Sequence, residues 1–428
     1  MAKTIRTLSA LLVAAFILIA GNGLQGTLLS VRGDIEGFSL TLIGLLMSGY
    51  FAGFIAGCRY APQMVKRVGH IRAFTALASI ASASALTHIL AIDAVFWVIL
   101  RAITGFCVAG LYMILESWIN ETATNENRGR VLSVYRMTDL SAATIGQMLL
   151  AVGDPSGFAL FAVVSILISL ALVPVATTSA AAPRPISNAT LNIGKIFRIS
   201  PLAAVGCIAV GAANGAFWAI GAVYVQRLGY DITTVALFMS SAVIAGAVSQ
   251  WPLGLLSDQV DRRVIIIAVA AACAVSSAIL ALTGGLSVFM LIAGGAAFGF
   301  FAMPQFGLSI AHANDRAEPD EYVSLNAGLL LLYGAGAVIG PVIGPAIMQA
   351  AGPQALFYYT SVIYCAFAIY GLIRLAQRDA VSEEDRESFV SVPRTSPGVF
   401  EMNPNAEENT EATATSEPEA VTNAPAER

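Results

Sequence analysis

Runs of about 20 apolar residues recur from one end of this chain to the other, and an α-helix of that length spans the hydrocarbon layer of a bilayer. Twelve can be placed, at residues 8–30, 39–58, 73–92, 95–119, 131–152, 157–178, 201–226, 232–256, 264–283, 287–311, 325–349 and 355–375. In lipid such segments satisfy their backbone by hydrogen-bonding within themselves as helices. The expected fold is therefore an all-α membrane protein of twelve transmembrane helices. A composition of 57% hydrophobic and 12% charged residues fits that class and not the soluble globular one. The first run, preceded by Lys3 and Arg6, has the look of a secretory signal, but the spans that follow favour an uncleaved helix.

The formal net charge of −4 is unevenly divided. Residues 379–428 hold 12 acids and 3 bases, which leaves 15 acids and 20 bases, or +5, in the body. This stretch is rich in Pro, Thr and Asn and nearly free of aromatics, so it reads as a disordered acidic cytoplasmic tail. With the N-terminus inside, 16 Lys and Arg fall in the inner connections and only Arg32 and Arg227 in the outer ones. By the positive-inside rule both termini belong in the cytoplasm, with the helices in the plasma membrane, or the inner membrane of a Gram-negative cell.

The longest inner connection, from Thr177 to Ser200, contains Pro183-Arg184-Pro185 and divides the spans six and six. Short matches recur across it in the same order: Val95-Phe96 with Val288-Phe289, Ile145-Gly146 with Ile339-Gly340, and Ala159-Leu160-Phe161 with Ala355-Leu356-Phe357. A duplicated six-helix unit explains them. The expected organisation is a bundle at 1–178, a cytoplasmic linker at 179–200, a second, pseudo-symmetric bundle at 201–378, and the tail. Rows of glycine at four-residue spacing, Gly49, Gly53, Gly57 and Gly336, Gly340, Gly344, predict two places where helix backbones touch.

Cofactor chemistry finds little support. The five cysteines lie in or beside apolar spans without a CxxC, and His70, His88 and His312 are scattered over different segments. There is no phosphate-binding GxxxxGK[ST] loop. No metal, no cofactor, no enzymatic activity and no nucleic-acid partner are expected; the partners are the bilayer, a small-molecule substrate and the proton, and the chain is expected to act as a monomer.

At this point the motifs resemble a known family. Gly254-Leu-Leu-Ser-Asp258-Gln-Val-Asp261-Arg262-Arg263 is similar to the Gly-x-x-x-Asp-Arg-x-Gly-Arg-Arg loop of the major facilitator superfamily of secondary transporters, departing from it at Gln259 and Asp261. The copy in the first half keeps Arg67 and Gly69 but has Lys66 where the acid belongs, and Arg101-x-x-x-Gly105 resembles the fourth-helix Arg motif. Glu116-Ser117, Asn127-Arg-Gly-Arg130, Gly146-Gln147, Gln250-Trp-Pro252, Leu330-Leu-Leu-Tyr333 and Gly340-Pro341 resemble the YcaD-type subgroup. The resemblance covers residues 8–375. It implies two six-helix halves that rock about a central site, a role for Arg101 in proton coupling, and an inner gate in which Asp258 faces the N-terminus of segment five, where Arg128 and Arg130 add positive charge.

Charges buried in lipid are expensive and so point to function or to partners. Arg101 and Glu116, 15 residues apart on one helix, sit about 22 Å apart along its axis and cannot pair. Arg101 has two open readings, a snorkelling or carbonyl-bonded arginine or a substrate- or proton-coupling charge. Glu116, near the inner end and close to Arg128 and Arg130, reads as part of a cytoplasmic salt-bridge gate with Asp258, Arg262 and Arg263. Arg136 and Asp139, three residues apart, face the same way and read either as a self-neutralised pair or as a proton-coupling pair in which Asp139 titrates. Mid-span polar and aromatic residues, Asn22, Gln25, Tyr112, Asn214, Trp218 and Gln305, join Arg101 as candidate substrate contacts; each has the alternative of bonding one helix to another. The function expected is proton-coupled movement of a small organic solute by alternating access. A receptor or sensor built on the same fold is the alternative, and a membrane enzyme is disfavoured by the absence of a catalytic cluster.

Overall fold

A computed structural model describes residues 2–124, 127–177, 192–318, 321–377, 379, 381 and 386–402, with side chains from residue 8 onward. The described helices are α1 (Ala2–Ile35), α2 (Leu40–Val68), α3 (His70–Leu90), α4 (Ala94–Thr122), α5 (Arg128–Met148), α6 (Ala159–Leu170), α7 (Leu172–Ala176), α8 (Ile193–Ile199), α9 (Pro201–Arg227), α10 (Ile232–Gln259), α11 (Arg262–Thr283), α12 (Val288–Ala302), α13 (Gln305–Asn314), α14 (Tyr322–Ala351) and α15 (Ala355–Gln377). All twelve expected spans are helical, the sixth broken at Ala171 and the tenth at Met303-Pro304, where proline ends one helix and opens the next. Capping side chains set several starts: Ser39, Asp93, Asp231 and Ser287 each accept the N–H three residues on. These four begin α2, α4, α10 and α12, corresponding helices of the two halves.

Among the described residues, eleven of the spans are long and apolar enough to cross a membrane. The exception is α5, which carries Arg128, Arg130, Arg136 and Asp139. Its polarity has a structural reason, since Arg136 and Asp139 face the cavity between the two halves, while Val134, Met137 and Ile145 are exposed on its other side.

Packing repeats from half to half. α2 lies on α4 as α10 lies on α12, α1 on α5 as α9 on α14, and α3 on α6 as α11 on α15. The result is two pseudo-symmetric six-helix bundles. Both glycine rows do what their spacing predicts: a methyl group on Gly53 would collide with the carbonyl of Ala102 on α4, and one on Gly340 with the carbonyl of Ala212 on α9.

Because each half has an even number of spans, both ends of the bundle sequence lie on one face, here called the terminal end. At the opposite, far end the halves touch directly. α2 meets α14, where Gly44 sits against the Pro341 carbonyl, the Ser48 hydroxyl donates to Val338 O at 2.7 Å, and the Thr41 hydroxyl donates to Gln349 Oε1 at 3.3 Å. α1 meets α9 through an Arg227–Asp34 ion pair of 2.7 Å.

Two expectations need correction. The tail is not disordered throughout: residues 386–402 run back between the halves at the terminal end and close in a short turn, Pro397–Met402, whose Val399, Phe400 and Met402 are buried. Three apolar side chains and several backbone hydrogen bonds compensate the ordering entropy that polar composition alone would not. Residues 403–428 lie outside the described residues. In the linker, 178–191 likewise lie outside them, but 193–199 form α8, tied to the second half by a Lys195–Glu321 ion pair.

Candidate functional site

Between the halves is a cavity of about 220 Å³. Its walls are chemically unequal. The first half supplies Asn22 and Thr27 from α1, Tyr50 from α2, Arg101 and Tyr112 from α4, and Arg136, Asp139 and Gln147 from α5. The second half supplies Trp218, Val243, Met303 and Tyr333, an apolar and aromatic wall. Toward the terminal end the cavity is roofed by Arg394 and Thr395 of the tail.

The polar wall is a linked set. Asn22 donates its amide to the Tyr50 and Tyr112 hydroxyls at 3.0 and 3.4 Å, leaving its Oδ1 without a partner. The Arg101 guanidinium lies over the Tyr50 ring, 4.4 Å from its centre, a cation–π contact. Arg101 is 2% exposed, its Nη1 has no hydrogen-bond partner, and among the described residues it makes no ion pair. It faces the cavity, which removes the snorkelling reading. Arg136 pairs with Asp139 at 2.5 Å and also reaches across to the second half, donating to Gln250 Oε1 at 3.1 and 3.3 Å. Thr27 donates to Gln147 Oε1 at 2.5 Å.

Of the expected substrate contacts, Asn22, Arg101, Tyr112 and Trp218 line the cavity, and so do Arg136 and Asp139. Gln25, Asn214 and Gln305 do not. Asn214 accepts from the Tyr364 hydroxyl at 3.1 Å, and Gln305 donates to Ile266 O at 3.1 Å, each inside the second bundle. Gln25 is 1% exposed with neither amide atom paired. Depth in the membrane was legible for these three, but the side of the helix they face was not.

The gate expectations change more. Glu116 is fully buried and accepts from three hydroxyls, those of Tyr135 at 2.8 Å and of Thr395 and Ser396 on the tail. It makes no ion pair among the described residues, so the salt bridge expected with Arg128 and Arg130 is not formed; Arg128 is buried and Arg130 exposed. Asp258 turns to Arg262 at 2.6 Å and to the backbone N–H of Phe389 at 3.0 Å, not to the start of α5. Arg262, 1% exposed, also binds Asp315 at 2.6 Å and the Glu387 carbonyl at 2.7 Å. Burial pushes the Asp315 carboxyl up to about 6, against the opposing pull of Arg262. Arg263 pairs with Asp261 at 2.6 Å; burial works to raise that carboxyl, but the Arg263 hydrogen bonds outweigh it and hold it below the ordinary carboxylate range.

Residues missed from the sequence are Tyr50, Gln147, Gln250, Tyr333, Asp315 and the tail. Gln147, Gln250 and Tyr333 stood inside the subgroup motifs, so the signal was present without a role attached to it.

The sequence model described as Major Facilitator Superfamily matches residues 11–288 and 244–406. The chain belongs to the major facilitator superfamily. Its similar curated relatives include the uncharacterized MFS-type transporter YcaD of Escherichia fergusonii, 26% identical over 317 residues, covering 74% of this chain and 82% of that protein. The YcaD of Salmonella newport is 25% identical over 319 residues with the same coverage. Among solved structures, the nucleoside transporter NupG superposes with a TM-score of 0.74 at 11% identity, covering 86% of this chain and 98% of that one. An inward-facing, unoccupied bacterial homolog of the lysosomal transporter Spinster gives 0.70 at 15%, covering 90% and 99%. These structures share the facilitator fold, and the chain is a multi-pass membrane protein of a transporter family.

Proposed function

We propose that the protein is a secondary active transporter that moves a small organic solute bearing an anionic or strongly accepting group, by alternating access, coupled to protons. The observation that carries this is Arg101: a buried guanidinium on the cavity wall with an unpartnered Nη1 and, among the described residues, no ion pair. An uncompensated buried cation is costly, and a solute carboxylate or similar group would neutralise it. The Asn22 Oδ1 beside it accepts a donor, and the Trp218 and Tyr333 faces take an apolar body.

Asp139 is the proposed proton carrier. Its protonation would dissolve the bridge to Arg136 and free Arg136 to favour Gln250 on the second half, so a proton taken up on one side biases how the halves meet. The fucose:proton symporter FucP of E. coli, which superposes with a TM-score of 0.52 at 13% identity, supports coupling only as an analogy of fold. The basic connections support a cytoplasmic terminal end in a plasma membrane.

The test is uptake into proteoliposomes carrying the full chain, with and without a pH gradient, across sugars, amino acids, organic anions and lipophilic cations. Gradient-driven accumulation of an anionic solute, lost in Arg101→Ala and uncoupled from the gradient in Asp139→Asn, supports the reading. Saturable binding with no uptake would favour a receptor and overturn it.

A further inference from the structure

The terminal-end cleft is built around a peptide. Residues 386–402 follow a path between the halves, and nearly every step is met by a side chain of the bundle. The Glu387 carbonyl accepts from Arg262 at 2.7 Å, and its N–H donates to Asp315 at 3.1 Å. The Phe389 N–H donates to both Asp258 oxygens, at 3.0 and 3.1 Å. Ser391 meets Gln250 and accepts from Arg136 Nε at 3.2 Å. The Arg394 guanidinium rests over the rings of Tyr333 and Phe306, 5.2 and 5.9 Å from their centres. Thr395 and Ser396 donate to the two oxygens of Glu116.

A second, independent feature is a slot shaped for one side chain. The Phe389 ring lies where a Cβ on Gly254 of α10 would stand 2.9 to 3.0 Å from ring atoms or closer, and where one on Gly307 of α13 would stand at 3.2 Å. Bare glycine at 254 admits the ring, which a Cβ there would displace, and a Cβ at 307 would crowd it. Gly254 opens the loop motif that also supplies Asp258 and Arg262, so that motif holds the peptide three ways.

We propose that this cleft is a peptide-binding site whose ligand is the chain's own segment 386–402, and that the segment must leave before solute can pass at the terminal end. The peptide touches α4 and α5 of the first half and α10 and α14 of the second, so while seated it fills the space those helices need in order to meet. It also occupies both carboxylate oxygens of Asp258 through the Phe389 N–H. Seating therefore opposes closure of the terminal end and blocks entry to the cavity at once. The binding claim stands on its own; the gating claim rests on the transporter reading above.

The experiment reads access and not transport, so it separates the two. In the purified full-length chain, Ala143→Cys places a thiol on the cavity wall beyond the tail, and its modification by a hydrophilic maleimide is followed by peptide mass spectrometry. Ser396→Glu sets a carboxylate against Glu116, and Gly254→Leu fills the Phe389 slot; each is expected to raise the labelling rate by about tenfold or more, since a buried like-charge pair or a filled slot disfavours the seated state strongly. Joining Gln250→Cys to Ser391→Cys with a short, reducible thiol cross-linker is expected to suppress labelling at residue 143, and reduction to restore it. Equal labelling in the parent and both variants, or failure of the cross-linker to join 250 and 391, would overturn the proposal. Because the cross-link is scored in a protein with the Phe389 slot and Glu116 intact, a folding defect in either variant cannot mimic that result.

Discussion

At the far end, helix meets helix: Gly44 presses on the Pro341 carbonyl, Ser48 bonds to Val338 O, and the contact is made of backbone and small side chains. At the terminal end the same two halves are joined by a third party, a single extended segment held by scattered charges, hydroxyls and one aromatic ring. A contact between whole helices separates only when whole bundles move. A bound strand can peel away residue by residue, and elements of that kind open at the lowest free energies. One end is thus suited to a concerted movement and the other to a local release, although the fold repeats itself in two halves.

Arg262→Ala probes the terminal end hardest. It strips the cation shared by Asp258, Asp315 and the Glu387 carbonyl, and leaving the buried Asp315 carboxylate unpaired costs about 3–5 kcal/mol. Amide exchange of residues 386–402 should quicken greatly while exchange near residues 338–349 stays slow; unchanged exchange in the tail would erase the contrast between the ends. Gly44→Leu is the converse. Overpacking against Pro341 should cost about 1–3 kcal/mol and loosen the far end, seen as a lower melting temperature and faster exchange in the second half of α14, with the tail protected.

Acidity sharpens the comparison from another side. Burial pushes Asp315 up to about 6 against the pull of Arg262 and of the Glu387 N–H on the tail, and burial also raises Glu401 although Arg128 opposes it. Once the tail departs, water returns to these carboxyls and their pKa falls. The seated state is then the one that binds protons more tightly, so seating is fullest below the ordinary carboxylate range and weakens as pH rises through about 6. Tail protection, corrected for intrinsic exchange, should be greater at pH 5 than at pH 7; the reverse order would mean that another group controls the seat. Arg227→Ala closes the series with the smallest effect. Its ion pair with Asp34 is part-exposed, with Arg227 at 40%, and should contribute less than about 1 kcal/mol, leaving melting unchanged within error.

The sequence made some of this legible and hid the rest for identifiable reasons. Span number, duplication and the two glycine contacts followed from length and spacing. The polar face of α5 was visible because Arg136 and Asp139 stand out in an apolar run. That Gln25, Asn214 and Gln305 lie off the cavity wall was hidden, because a helix that is apolar toward lipid and toward its neighbours gives no amphipathic signal to fix which side faces the cavity. The tail escaped because its seat draws isolated residues from several helices, Glu116, Gly254, Asp258 and Asp315 among them, and no local pattern joins them.

The polarity of α5 also bears on how the protein is made. On scales of insertion from the translocon, a charged residue near the middle of a helix opposes entry to lipid by about 2.5–3.5 kcal/mol, and α5 carries both Arg136 and Asp139 in its interior. It is expected to wait at the insertion channel for neighbours already in the bilayer. α1 is suited to receive it, since Gly146 of α5 packs directly on the Ala20 backbone. The groups that line the central cavity thereby set the order in which the nascent chain assembles in the membrane.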